Sequence, residues 1–235
     1  MDAITLNIPP GVVDHGTDSR AEGRWHDASF VRWTNGVLHP VGGWDELQNV
    51  SINQSTTRIA RGAHSWYDNG GIPRMATGTF DKLYAWAGDQ WNRSGLATTI
   101  TASSGSVPST NKAIIVTAER FLFALGAGGD PRKVQWCDRE DITAWNPQPT
   151  NEAGDIILQT NGNIVCAEKV RGRTLILTTL DAHVATYQGP PTVYGFQRLA
   201  SGCGIAGPLL SGSISGMAFW MGDSGGLYQT MGRVR

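Results

Sequence analysis

The chain repeats one local pattern: a short apolar run, a few polar or glycine residues, then a second apolar run. The clearest instances are "IPRMATGTFDKLYAWAG", "NKAIIVTAERFLFALG", "GRTLILTTLDAHVATYQG" and "SGMAFWMGDSGGLYQTMG". Apolar runs of this length bounded by turn residues read as strands, so each phrase predicts a β-hairpin whose second strand usually carries an aromatic. Aligned on Leu83, Leu122, Val184 and Leu227, the second strands are spaced by 39, 62 and 43 residues. Two of these intervals approach the about 40–45-residue period of a four-stranded propeller blade. The long interval holds "GDPRKVQWCDREDITAWNPQPTNEAGD", whose Pro, Asp and Asn content reads as loop. No stretch of a dozen residues keeps an amphipathic helical spacing free of Gly or Pro.

An isolated hairpin buries too little apolar surface to be stable, and stacking several radially leaves only short, protected edges. The expected fold is therefore all-β: a propeller-like arrangement of antiparallel hairpin repeats with long loops, incomplete at its C-terminal end. Nothing after Tyr228 in "GLYQTMGRVR" supplies a ring-closing strand, so the chain is expected to be the front part of a longer protein. Residues 1–50 are read as an N-terminal segment packing on the body, and residues 51–235 as the body. In "GRWHDASFVRW", Arg24, Trp25, Arg32 and Trp33 alternate cation and indole, which suits guanidinium stacking against the body. A surface strand of mixed character is the alternative. In "MAFWM" both faces are largely apolar, predicting a strand sandwiched between two layers.

Composition narrows the function classes. Among 235 residues there are 30 glycines and 9 tryptophans, and only 17% are charged, which leans toward β-structure with many turns. A net charge of -1 gives no electrostatic footprint for wrapping nucleic acid. Cys137, Cys166 and Cys203 are scattered, so neither a zinc site nor a disulfide framework is expected. The N-terminus lacks the form of a secretory signal, and no segment approaches the roughly 18 apolar residues of a membrane span. A soluble product, made in the cytoplasm, is the expectation.

The sharpest candidate chemistry is Gly-Asp-Ser-Gly-Gly around Ser224, the setting of the nucleophile in chymotrypsin-like serine proteases. "GAHSW" places His64, and "EDITAW" places Asp141, in phrases like that family's other triad segments, in the same chain order. The triad needs a serine whose proton passes to an imidazole held by a carboxylate. Only eleven residues follow Ser224, too few for the wall of a specificity pocket. Ser224 also sits directly between two apolar runs, where Gly, Asp and Ser make a turn. No catalytic, cofactor-binding or metal-binding residue is therefore assigned. "GAGGDP" lacks the Lys-Ser/Thr of a phosphate loop and reads as a turn. Asp138, Glu140 and Asp141 have oxygen ligands for a cation, but solvated loop carboxylates are the plainer reading. His15, His26, His39, His64 and His183 show no i, i+4 pairing, and His183 is assigned to an exposed hairpin turn.

The succession "GTDSRAEGRWHDASFVRWTNGVLHPVGGW", "MATGTFDKLYAW", "VQWCDREDITAWNP", "GDIILQTNGNIVCAEKVRGRTLILTTLDAHVATYQGPPTVYGFQRLASGCGIAGP" and "SGMAFWMGDSGGLYQ" resembles the tail nozzle, or tail hub, proteins of short-tailed bacteriophages. The resemblance runs from Gly16 to Tyr228. It implies a structural virion protein, assembled in the host cytoplasm. Several copies, typically six, would form a ring below the portal and adaptor, through whose lumen genome DNA leaves without sequence-specific binding. Tail fibres or spikes would attach to the same ring. Members of that family are usually much longer. Tyr187, Tyr194 and Phe196, flanking the prolines of "YQGPPTVYGF", are candidate interface anchors together with Arg24 and Trp25. The alternative is that these aromatics cover the core beneath a loop. Two further function classes stand beside this one: the His64/Asp141/Ser224 protease, and a carbohydrate-binding β-propeller using exposed tryptophans.

Overall fold

A computed structural model describes residues 11–12, 25, 28–42, 60–79, 82–86, 97–100 and 107–230. Two compact units divide the chain, Met1–Leu47 and Gln48–Arg235. In the first, β1 (Val31–Thr34) and β2 (Val37–Pro40) form a hairpin, and Val12 bridges Trp25. The hairpin turns at Asn35 and Gly36, both at positive φ, as a two-residue loop between twisted strands requires. Arg24 lies outside the described residues.

The second unit is built of antiparallel meanders. The first is β3 (Ala60–Tyr67), β4 (Pro73–Thr79), β5 (Leu83–Trp86) and β6 (Ala97–Thr99). The second is β7 (Ala113–Val116), β8 (Leu122–Leu125), β9 (Lys133–Trp136) and β10 (Gly154–Ile157). The third is β11 (Ile164–Val170), β12 (Arg173–Thr178), β13 (Asp181–Gly189) and β14 (Val193–Ser201). The last has three strands, β15 (Ser211–Ile214), β16 (Met217–Met221) and β17 (Leu227–Thr230). All four predicted hairpins are present. Among the described residues there is no α-helix, only a 3-10 turn at Ala127–Gly129.

The sheets stack face to face because alternate residues of each strand enter different cores. Ile114 and Val116 of β7, with Leu122 and Ala124 of β8, pack toward Ala76 and Leu83 of the first sheet. Their neighbours Ile115, Phe121, Phe123 and Leu125 turn the other way, onto Ile164, Ile176 and Ala185 of the third sheet. The third sheet repeats the device: Leu175 and Leu177 face Ala218 and Trp220 of the last sheet. A strand buried on both faces reads as a continuous apolar run, which is why "AIIV" and "FLFAL" lack polar alternation. The first strands of successive sheets meet, β3 against β7, β7 against β11 and β11 against β15. Radial stacking around these inner strands is the propeller-like arrangement.

The spacing anomaly has a structural cause. The presumed loop after Leu125 contains β9 and the start of β10, so β8 is the second strand of its sheet and not the third. Third strands begin at Leu83, Lys133, Asp181 and Leu227, at intervals of 50, 48 and 46 residues. The repeat is regular once β9 replaces β8.

Two expectations need correction. His183 is not in an exposed turn but on β13, at 3% exposure. The turn falls earlier, at Thr179 and Leu180, where the Thr178 hydroxyl accepts the backbone N–H groups of Leu180 at 3.1 Å and Asp181 at 2.9 Å. The β16 strand is covered on one side only: Ala218 and Trp220 are buried, whereas Met217 and Phe219 are half-buried and Met221 is exposed.

Candidate functional site

Four sequence-derived site residues fall on the described part of the chain, three of them along the contact of the second and third sheets. Tyr194 is buried in the core between these sheets, with its ring edge-on to Phe123 at 4.8 Å. Its hydroxyl lies 2.8 Å from Thr117 Oγ1 and donates to Glu119 Oε2 at 2.9 Å. Burial holds this phenol above the ordinary tyrosine range. Phe196 is half-buried, stacking on Phe123 and tilted against Trp136. These two side chains cover and fill the core.

Tyr187 sits nearer the rim. Its hydroxyl donates to Glu152 Oε2 at 2.7 Å and accepts from the Arg139 guanidinium, which also reaches Glu152 at 3.4 Å. The guanidinium carbon lies 5.0 Å from the Tyr187 ring centroid and 5.4 Å from that of Phe121. The hydrogen bond to Glu152 is the main cause that raises the Tyr187 pKa. An Arg–Glu–Tyr clasp of this kind ties the loop after β9 to β13. Trp25, in the first unit, is half-exposed at its bridge to Val12.

The residues of the protease reading are not brought into hydrogen-bonding contact. His64 is on β3, Asp141 lies in the loop after β9, and Ser224 is at the exposed tip of the β16–β17 turn. That turn closes through Gly225 N–H to Gly222 O at 3.0 Å and Gly222 N–H to Gly226 O at 2.8 Å, with Gly225 at positive φ. Asp141 Oδ1 accepts instead from the Thr143 backbone at 2.9 Å and its hydroxyl at 2.6 Å. Burial, assisted by the Lys169 ammonium, pushes the His64 pKa down to about 4. The neighbouring acidic cluster disperses as well. Asp138 Oδ1 accepts from Arg139 N–H at 2.8 Å and Glu152 N–H at 2.9 Å, while Glu140 pairs with Arg120.

Among the described residues, a surface the sequence did not single out stands open on the sheet of β15–β17. On the face away from Trp220, Ile214 is 65% and Leu227 74% exposed, and Leu210 and Met221 are exposed beside them. The register joins these positions, with Ile214 opposite Met217 and Met221 opposite Leu227. Phe219 lies between them on the same face. The double-sided apolar pattern of "MAFWM" was the sequence signal for this face.

No protein-family model matches the chain, and neither does any curated protein. Among solved structures, the chain is similar to Hsv2 from Kluyvelomyces marxianus, at 8% identity and a TM-score of 0.42, over 76% of this chain and 48% of that one. It is also similar to a catalytically inactive virginiamycin B lyase from Staphylococcus aureus with quinupristin, at 9% identity and a TM-score of 0.45, covering 76% and 57% of the two chains. A putative exported protein from Bacteroides fragilis matches at 12% identity and a TM-score of 0.44, covering 74% and 48%. The chain thus spans about half the length of the structures it matches.

Proposed function

We propose that this chain is a structural protein of a bacteriophage tail, one subunit of a nozzle or hub ring below the portal and adaptor through which genome DNA leaves. The observation that carries the reading is the open apolar face formed by Leu210, Ile214, Phe219, Met221 and Leu227. A contiguous apolar patch of this kind marks a surface for another macromolecule. Its occupant in this reading is a second copy of the chain. The sheets within the chain already join face to face through aliphatic and aromatic residues, and one more such interface continues that series. A contact between unlike faces, repeated by rotation, closes into a ring.

The sequence resemblance supplies the rest: about six copies, tail fibres or spikes attached to the ring, assembly in the host cytoplasm and residence in the virion. A net charge of -1 suits a conduit that DNA passes through without being gripped. No catalytic residue, cofactor or metal has a role in this reading.

Cryo-electron microscopy of the tail of a particle carrying this chain tests it. A ring of copies around the tail axis is the expected result. Finding the chain in the capsid shell, or as a single axial copy, overturns the proposal. Met221→Asp combined with Leu227→Asp, both at exposed positions, should abolish the ring while leaving the far-ultraviolet circular dichroism of the subunit unchanged.

A further inference from the structure

The second and third sheets do not close on each other along their whole length. A cleft of about 280 Å³ opens between them, past the ring contact of Trp136 with Phe196. The wall on the second sheet is aliphatic: Ile156 and Ile157 end β10, and Leu158 follows, buried. The opposite wall comes from the β13–β14 ladder. His183 and Arg198 stand directly across from each other there, and Phe196 lies two residues earlier on the face of Arg198.

The polar groups around this apolar lining differ in how they are satisfied. Asp181 Oδ1 receives the hydroxyls of Thr160 at 2.9 Å and Thr178 at 2.5 Å. His183 Nε2 lies 3.1 Å from the same oxygen but out of line for a hydrogen bond, and has no other partner. The buried carboxylate is thus held by two hydroxyls, with the His183 ring beside it, and is not among the residues lining the cleft. Arg198 is different. It is exposed and, among the described residues, has no carboxylate within ion-pair distance. On the adjoining second sheet and its loops, Arg132, Lys133 and Arg139 pair with Asp130, Asp155 and Glu152. Gln159 adds an amide at the rim.

A guanidinium with no carboxylate partner among the described residues, beside an aliphatic and aromatic slot, suits an anionic ligand with a small apolar body. The planar fork of Arg binds carboxylates with two parallel N–H···O bonds. The volume lies at or just below the small end of ligand pockets, about 300 Å³, which limits the apolar part to one ring or a short chain. We infer that the cleft between the second and third sheets binds a small organic carboxylate. In this arrangement Arg198 and Gln159 take the carboxylate, and Ile157, Phe196 and the His183 ring hold the apolar body. This site is separate from the open face of the last sheet.

Isothermal titration of the purified chain with phenylacetate, and with phenylacetamide as its neutral counterpart, tests the inference. Saturable phenylacetate binding is expected, with a Kd of about 0.1–10 mM for so few contacts. Phenylacetamide should bind at least about tenfold more weakly, since it cannot form the charged pair. Arg198→Gln should weaken phenylacetate by a similar factor, and Ile157→Asp, which puts a negative charge in the slot, should do the same. Both positions are exposed, so circular dichroism should show both variants folded. Absence of saturable binding to the parent chain, or equal affinity in Arg198→Gln, overturns the proposal.

Discussion

Replacing Trp220 by alanine probes the joint between the third and last sheets. The side chain is 1% exposed, stacks on Tyr228 with ring centroids 5.7 Å apart, and donates its Nε1–H to the Cys203 carbonyl at 2.7 Å. A tryptophan side chain buries about 200 Å², which at about 25 cal/mol per Å² is worth about 5 kcal/mol against an extended unfolded chain. A compact unfolded ensemble lowers this by roughly 10–40%, to about 3–4.5 kcal/mol. Losing the hydrogen bond, with the Cys203 carbonyl left behind, restores about 1 kcal/mol of the cost. The expected destabilisation is about 4–5.5 kcal/mol, at the upper end of the about 3–5 kcal/mol seen for aromatic truncations in cores. Trp220→Phe keeps most of the ring and loses only the donor, so about 1–2 kcal/mol is expected. Urea unfolding followed by far-ultraviolet circular dichroism measures both, with an unchanged m-value as the check on two-state behaviour. A loss below about 1 kcal/mol for Trp220→Ala would refute the assignment of this residue to a shared core.

Three further outcomes are expected. Gly204→Ala should destabilise by more than an ordinary surface change, because the added Cβ falls 2.0 Å from the Thr179 carbonyl oxygen, a backbone atom that cannot step aside; a neutral result in the same urea assay would contradict that packing. His64 is pushed down to about 4 from 6.5, so on acidification the unfolded chain takes up its proton first; stability should be unaffected above pH 6.5 and fall as the pH drops from 6.5 toward 4. His64→Asn should flatten that part of the pH profile, and an unchanged slope would show that other groups cause it. Ser224→Ala should shift stability by no more than about 0.5 kcal/mol, as exposed turn substitutions do, and stoichiometric labelling of Ser224 by a fluorophosphonate would contradict its role as a turn residue.

The sequence alone determined the local units. Hairpins at Pro73–Trp86, Ala113–Leu125, Arg173–Gly189 and Met217–Thr230 follow from apolar runs broken by residues that favour tight turns, which are short-range effects. It also identified Ser224 as a turn residue, because two apolar runs meet there. What only the tertiary structure decided was which strand of a sheet each hairpin supplies. Every neighbouring pair in a meander is an antiparallel hairpin of the same kind, so β7–β8 and β12–β13 look alike until their outer partners are known. The polar residues around β9 and β10 hid the strands that fix the phase. His183 shows the same limit at one position. The turn falls at Thr179 and Leu180, closed by the Thr178 hydroxyl, which places His183 on a buried strand and not in an exposed loop. The open face of the last sheet and the Arg198 cleft belong to this second class. The cleft joins residues of two sheets, while the face, local to residues 210–227, is open because no other sheet among the described residues packs on it; both therefore depend on how whole sheets stack.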